Sequence, residues 1–228
     1  MNSIEEAMIK LSAALDGMLF DFAFLGGSVL TLLVTDKTAD AIRVTKDVDV
    51  MMNICTRNEY HAADAELERR GFRHDTREDA PICRWLLDDL TVDVLPIRED
   101  VLGWNSRWFC EALRAAVTIN VGNRSIRVVS APYFVALKLE AFEDRGNKDF
   151  LTSTDFEDVI CLFNGRESLV EEIETCEDLR ADLAAKFKDY LKNPELEDAV
   201  DGFVQTESSP DFRKNRILSA FRAIAALA

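Results

Sequence analysis

The sequence predicts an α/β (α+β) protein, a mixed sheet flanked by helices followed by a C-terminal helical region. Three observations carry that expectation. Short apolar runs, "LFDFAFL", "DVDVMMN" and "LTVDVLPI", have the length and composition of strands, and all fall before residue 130. Helix-length segments with cap signals separate them. From Ser130 onward only helical patterns remain. At 228 residues the chain is long enough to bury a proper core in one large domain or two small ones.

The elements follow in order. Residues 3 to 15 are expected as an amphipathic helix, 19 to 25 as a strand, and "GGSVLTLLVTD" as a turn into a helix. A strand over 47 to 53 precedes a helix from about Asn58 to Arg70, with Gly71 as its C-cap. "ICRWLLDD" and "LTVDVLPI" are expected as two strands around a tight turn near Asp88 and Asp89. A helix near 105 to 116 and two short strands, "VTINV" and "SIRVVS", complete this part, with Gly122-Asn123 as the hairpin signal. Ser130 is the expected N-cap of the next helix, with Pro132 in its first turn. "TDFEDVICLFNG" opens with a capping box, Thr154 to Glu157, and stops at Asn164-Gly165. Later helices are expected over 178 to 192, ending before Pro194, and over 210 to 227, starting at Ser209-Pro210.

Composition narrows the class. The longest apolar stretches fall far short of the ~20 residues a membrane span needs, so no membrane association is expected. The first residues, "MNSIEEAMIKLSAAL", carry two glutamates and do not have the form of a signal peptide. Five cysteines with no C-x-x-C pair suit reduced thiols in a cytoplasm. Two histidines leave little room for a zinc site or a histidine-based triad. The balance of 27 basic and 42 acidic side chains, a net −15, argues against a chain-wide nucleic-acid footprint. The charge is uneven, however. Residues 167 to 211 hold 14 acidic and 4 basic groups, whereas 212 to 228 hold four basic and no acidic ones.

Three constellations have the composition of chemistry. In "FLGGSVL", Gly26 and Gly27 between a strand and a helix let backbone N–H groups approach a phosphate. The same pair also serves a tight strand-to-helix turn. In "DVDV", Asp47 and Asp49 share one strand face, because a strand repeats every two residues. Asp93, in "TVDVLP", sits in a second such alternation. Were the two strands neighbours, three carboxylates would converge, and clustered hard oxygen ligands suit Mg²⁺ with substrate phosphates. The plainer alternative is a solvated or ion-paired strand face. Lys138, in "APYFVALKLEAF", falls in the middle of an apolar helical arc with Arg145 one to two turns on. There it must snorkel, pair with an acid or point into a cleft. Asp155 and Asp158 follow at the next helix start, where acids also favour the helix dipole.

The order "GGS … R-x-T-K-D-V-D-V … V-D-V", then "K-L-E-A-F-x-x-R-G-x-K-D … D-F-E-D-V", resembles the nucleotidyltransferase superfamily. Within it the chain is most similar to the AbiEii-like group, which includes toxins of type IV toxin–antitoxin systems. The resemblance covers roughly residues 20 to 160. Residues 166 to 228 match no known pattern. The residue patterns divide the chain into an α/β part over 1–130 and a helical part over 131–228, and the resemblance implies that the first is catalytic and the second completes the nucleotide and acceptor cleft. It implies that Gly26, Gly27 and Ser28 hold a triphosphate, that Asp47 and Asp49 bind Mg²⁺, and that Asp93 helps bind a second Mg²⁺. Lys138 would contact nucleotide phosphates, Asp155 or Asp158 would orient it or touch the acceptor, and Arg43 would brace the aspartate strand or a phosphate. Asp93 fits the broader superfamily pattern rather than the AbiEii-like one. The implied reaction moves a nucleoside monophosphate from an NTP, such as ATP, to a tRNA or a protein, with a cognate antitoxin as partner. Two other functions fit the same residues. One is transfer to a small cationic antibiotic of the aminoglycoside or lincosamide kind, which the −15 charge favours. The other is an inactive nucleotide-binding regulatory module.

Overall fold

The computed structural model describes residues 3–36, 38, 39, 43, 45, 47–103, 106–204 and 210–227. The chain gathers into two compact units, Met1–Val29 with Val44–Ser130, and Leu30–Arg43 with Ala131–Ala228.

The first unit is a seven-stranded mixed sheet. Its strands are β1 (Phe22–Leu25), β2 (Asp47–Met52), β3 (Arg73–His74), β4 (Arg84–Leu87), β5 (Leu90–Pro96), β6 (Val117–Val121) and β7 (Arg124–Val128). They lie in the order β3-β4-β5-β2-β1-β7-β6. β1 runs antiparallel to β2 and parallel to β7, and β2 runs parallel to β5. Two hairpins, β4–β5 and β6–β7, have two-residue turns as the sequence predicts. In the first, Asp88 adopts a φ of +53°, which a short polar side chain tolerates better than most. Leu87 therefore pairs with Leu90, and every register position further along is set by that pair.

The helices of the N-terminal half are α1 (Ser3–Ala14), α2 (Leu30–Leu33), α3 (Arg57–Arg69), α4 (Glu99–Leu102) and α5 (Phe109–Arg114). Of these, α2 belongs to the second unit. α1 packs on β7 and α5 on β2. α3 starts at Arg57 rather than Asn58 because Thr56 caps it. The Thr56 hydroxyl accepts from Glu59 N at 3.2 Å, and the Glu59 carboxylate accepts from Cys55 N at 2.8 Å. The helix expected near 105 to 116 is shorter, and residue 105 lies outside the described residues.

The second unit is helical. It contains α2 with α6 (Ala131–Asp144), α7 (Thr154–Gly165), α8 (Leu169–Thr175), α9 (Glu177–Tyr190), α10 (Glu195–Phe203) and α11 (Pro210–Ala225). Phe142, Phe150, Phe156 and Tyr190 form an edge-to-face cluster at its core, and Phe163, Phe187 and Phe221 form another. α7 is capped by Ser153, whose hydroxyl accepts from Phe156 N at 3.3 Å. The expected Thr154 box is thus one residue late, because Thr154 is already helical. β3, α8 and α10 carry no sequence expectation. β3 has only two residues, and α8 and α10 lie in the acid-rich stretch where short apolar stripes are diluted. The Ser209 start of α11 falls outside the described residues. No helix among the described residues is long and apolar enough to cross a membrane.

Candidate functional site

β1 ends at Leu25, which lies opposite Asp49 in the β1–β2 register. The chain then turns through Gly26, with a φ of +71°, into a 3₁₀ turn over Gly27–Val29. A Cβ at Gly26 would come within 2.8 Å of Asp49 Cγ and collide with its carboxylate. Glycine is required there twice, by the left-handed φ and by the close approach of an acid. Ser28 is fully buried, and its hydroxyl donates to Leu25 O at 3.0 Å, which closes the turn.

The expected carboxylate face forms. Val48 and Val50 are fully buried on one side of β2, and Asp47 and Asp49 face the other way, partly exposed. β5 lies alongside in parallel, with Asp49 opposite Asp93 and Asp47 opposite Thr91. Asp47, Asp49 and Asp93 therefore gather on adjacent strands.

A fourth residue joins them that the sequence reading did not include. Arg84 lies opposite Asp93 in the β4–β5 hairpin. Its Nε donates to Asp93 Oδ1 at 2.8 Å and its Nη2 to Asp93 Oδ2 at 2.8 Å. The same Nη2 reaches Asp47 Oδ2 at 3.2 Å. This fork-to-carboxylate geometry is the strong form of an ion pair. The Asp93 hydrogen bond holds the guanidinium pKa above its ordinary value, against the effect of burial. Arg84 was findable. A two-residue turn at Asp88-Asp89 pairs positions symmetrically, and 84 and 93 each lie three residues beyond the closing pair. The neighbouring Cys83 is buried, and burial, reinforced by Asp93, pushes its thiol up to about 12, so it is not a nucleophile at neutral pH.

The remaining predicted residues lie in the second unit. Lys138 on α6 does not snorkel; it is buried and pairs with acids from α7. Its Nζ is 2.9 Å from Asp155 Oδ1 and 2.6 Å from Asp158 Oδ2. Burial acts to lower the lysine pKa, but Asp158 and Asp155 outweigh it and the net shift is upward. Arg145 donates through Nε and Nη2 to the two Asp155 oxygens at 2.9 and 3.0 Å. Burial works to raise the Asp155 pKa, yet Arg145 and Lys138 bring it below the usual carboxylate range. Arg43 stands 3.8 Å from Glu157 and 3.9 Å from Asp158. With Cys161, Asn164 and Phe203, Arg43 and Asp158 line a small cleft of this unit.

The structure thus brings Gly26, Gly27, Ser28, Asp47, Asp49 and Asp93 together in one unit, and Arg43, Lys138, Asp155 and Asp158 in the other. Among the described residues no three His, Cys, Asp or Glu side chains converge as a cation cage. Asp47 and Asp49, sharing a strand face, suit one Mg²⁺ that takes its other ligands from substrate phosphates and water. Asp93 does not suit a second ion, since both of its oxygens are engaged by Arg84.

Comparison with known proteins places the fold. The chain is similar to the crystal structure of an antigenic nucleotidyltransferase-like protein from Paracoccidioides brasiliensis, at 19% sequence identity and a TM-score of 0.50. The match covers 90% of this chain and 94% of that one. A mixed sheet flanked by helices with this likeness defines a nucleotidyltransferase-like fold. No family model and no curated protein matches the chain.

Proposed function

We propose that this chain is a nucleotidyltransferase, moving a nucleoside monophosphate from an NTP to an acceptor hydroxyl with release of pyrophosphate. The observation that carries the reading is the packing of the Gly26 turn against Asp49, beside Asp47 and Asp93, in a nucleotidyltransferase-like fold. A turn whose backbone can approach a phosphate, next to carboxylates that can share a cation with it, is the minimum such a reaction needs.

In this reading the backbone N–H groups at Gly26 and Gly27 bind the phosphate chain, and Ser28 holds the turn closed. Asp47 and Asp49 would hold one Mg²⁺, which would offset the negative charge of the phosphates. Within the second unit Asp155 and Asp158 keep the Lys138 ammonium charged, the state in which a lysine serves as a phosphate ligand. The acceptor hydroxyl attacks the α-phosphorus in line and gives up its proton to solvent, a new P–O bond forms, and the bond to the bridging oxygen breaks, that oxygen leaving with the electron pair as pyrophosphate. Positioning and charge neutralisation supply most of the rate in such transfers.

The AbiEii-like motif order favours a tRNA or protein acceptor in the cytoplasm, and with it a toxin restrained by an antitoxin. The net −15 charge favours a second acceptor class, small cationic molecules, since an acidic surface repels RNA phosphates. One experiment separates them. Purified protein, Mg²⁺ and α-labelled NTPs are incubated with total RNA, a protein extract, or an aminoglycoside. Label in RNA or protein, lost in Asp49→Ala, is the expected result. Label in the aminoglycoside alone moves the acceptor to the cationic class. Label in none of them sinks the transferase reading and leaves a nucleotide-binding module.

A further inference from the structure

The carboxylate face holds a cation of its own. Asp47, Asp49 and Asp93 project from two neighbouring parallel strands, and like charges at that spacing are costly without a counter-charge. Arg84 supplies it from the next strand. Its guanidinium spans Asp93 with two bonds of 2.8 Å and reaches Asp47 with a third of 3.2 Å. The side chains are 22%, 13% and 41% exposed for Arg84, Asp93 and Asp47, so the bidentate Arg84–Asp93 pair is more sheltered than Asp47. An arginine cannot discharge itself to make room, and a divalent ion on Asp93 would have to displace it against both repulsion and lost hydrogen bonds.

We propose that Arg84 takes the place of a second divalent cation, so that this site works with one metal ion and one fixed guanidinium. The inference rests on the transferase reading for its purpose but not for its observables. Arg84 is a positioning residue in it. It holds Asp93 out of the metal's coordination shell and orients Asp47 toward the single ion. Arginine fits that role better than lysine because its fork matches a carboxylate bidentately and also reaches a second acid.

Counting bound Mn²⁺ by electron paramagnetic resonance, on the full chain without acceptor, tests this. The wild-type chain should hold one equivalent at saturation. R84Q should hold two, since Asp93 is then released to bind, and R84Q combined with D93N should return to one. D93N alone, which keeps the guanidinium, should leave the count at one; this variant keeps the test decisive if R84Q does not fold. Two equivalents or none on the wild type, a folded R84Q that still holds one, or a D93N that loses its ion would each overturn the proposal. A chain that binds one Mn²⁺ yet labels no acceptor would sink the transferase reading while supporting the Arg84 assignment.

Discussion

At Gly26 a single hydrogen in place of a side chain decides where Asp49 stands. The left-handed φ costs an L-residue about 1–2 kcal/mol, and the added methyl would also collide with the Asp49 carboxylate. Gly26→Ala is therefore expected to lower the melting temperature by a few degrees and to reduce nucleotidyl transfer on the order of 100-fold through misplacement. Calorimetry and labelling on the same preparation check both. Transfer at the wild-type rate would show that the turn does not position the acid. The glycine was legible in the sequence, since a Gly-Gly pair between a strand and a helix has few uses. Its collision partner was not, because Asp49 lies 23 residues further on and meets Gly26 only through the β1–β2 register. The same holds for Arg84, whose role depends on which residue the hairpin sets across from it.

At the scale of elements, α11 gives the C-terminal segment a definite task. Arg213 on α11 is buried and binds five groups of the loop after α2 and of α7, the Asn164 carbonyl at 3.3 Å among them. Its Nη1 reaches Asp36 Oδ2 at 3.2 Å and Asn164 Oδ1 at 3.0 Å, and its Nη2 reaches Thr38 O at 2.9 Å and Thr38 Oγ1 at 2.8 Å. Gly165, at the end of α7, accepts from Thr35 N and Asp36 N, at 2.8 and 2.9 Å. A Cβ there would meet Val34 Cγ1 at 2.6 Å, so the glycine lets the loop lie flat against the helix end. Removing one partner of a buried charge pair costs roughly 3–5 kcal/mol. Arg213→Ala is expected to lose about 3 kcal/mol in urea unfolding, and Arg213→Lys less. A loss within error would show that the loop holds itself. Sequence patterns located α11 and the α7 stop at Asn164-Gly165, but one arginine among three on a basic helix gives no hint of a partner 177 residues away.

Over the whole molecule, the paired charges set a pH range. Asp36, Glu143, Asp149 and Asp155 have pKa values lowered in the folded state, and the Arg77 hydrogen bond brings Asp75 down to about 2. Groups with depressed folded pKa values stabilise above their unfolded values, 3.8 for Asp and 4.5 for Glu, and that stability is lost as pH falls through the folded ones. Asp64, raised by burial, works the other way. On the alkaline side Cys83 and Tyr60 are pushed up to about 12, chiefly by burial, and Lys138 is raised. Their contribution is complete below the unfolded values, 9.0, 10.0 and 10.5, and is lost as pH rises through the folded ones. The melting temperature should therefore be flat from about pH 5 to 9 and fall on both sides. Asp155→Asn should lower the plateau and shallow the acid limb, and an unchanged acid limb would remove Asp155 from that account.

The sequence by itself determined the strands and helices with strong periodicity, the face shared by Asp47 and Asp49, and the place of Lys138 on an apolar helix face. Each depends only on the repeat of its own element, two residues in a strand and 3.6 in a helix. Tertiary structure alone decided what those residues meet: Asp49 against Gly26, Asp93 and Asp47 on Arg84, and Lys138 between Asp155 and Asp158. Strand register and helix docking choose partners far apart in the chain, and no local repeat carries that information.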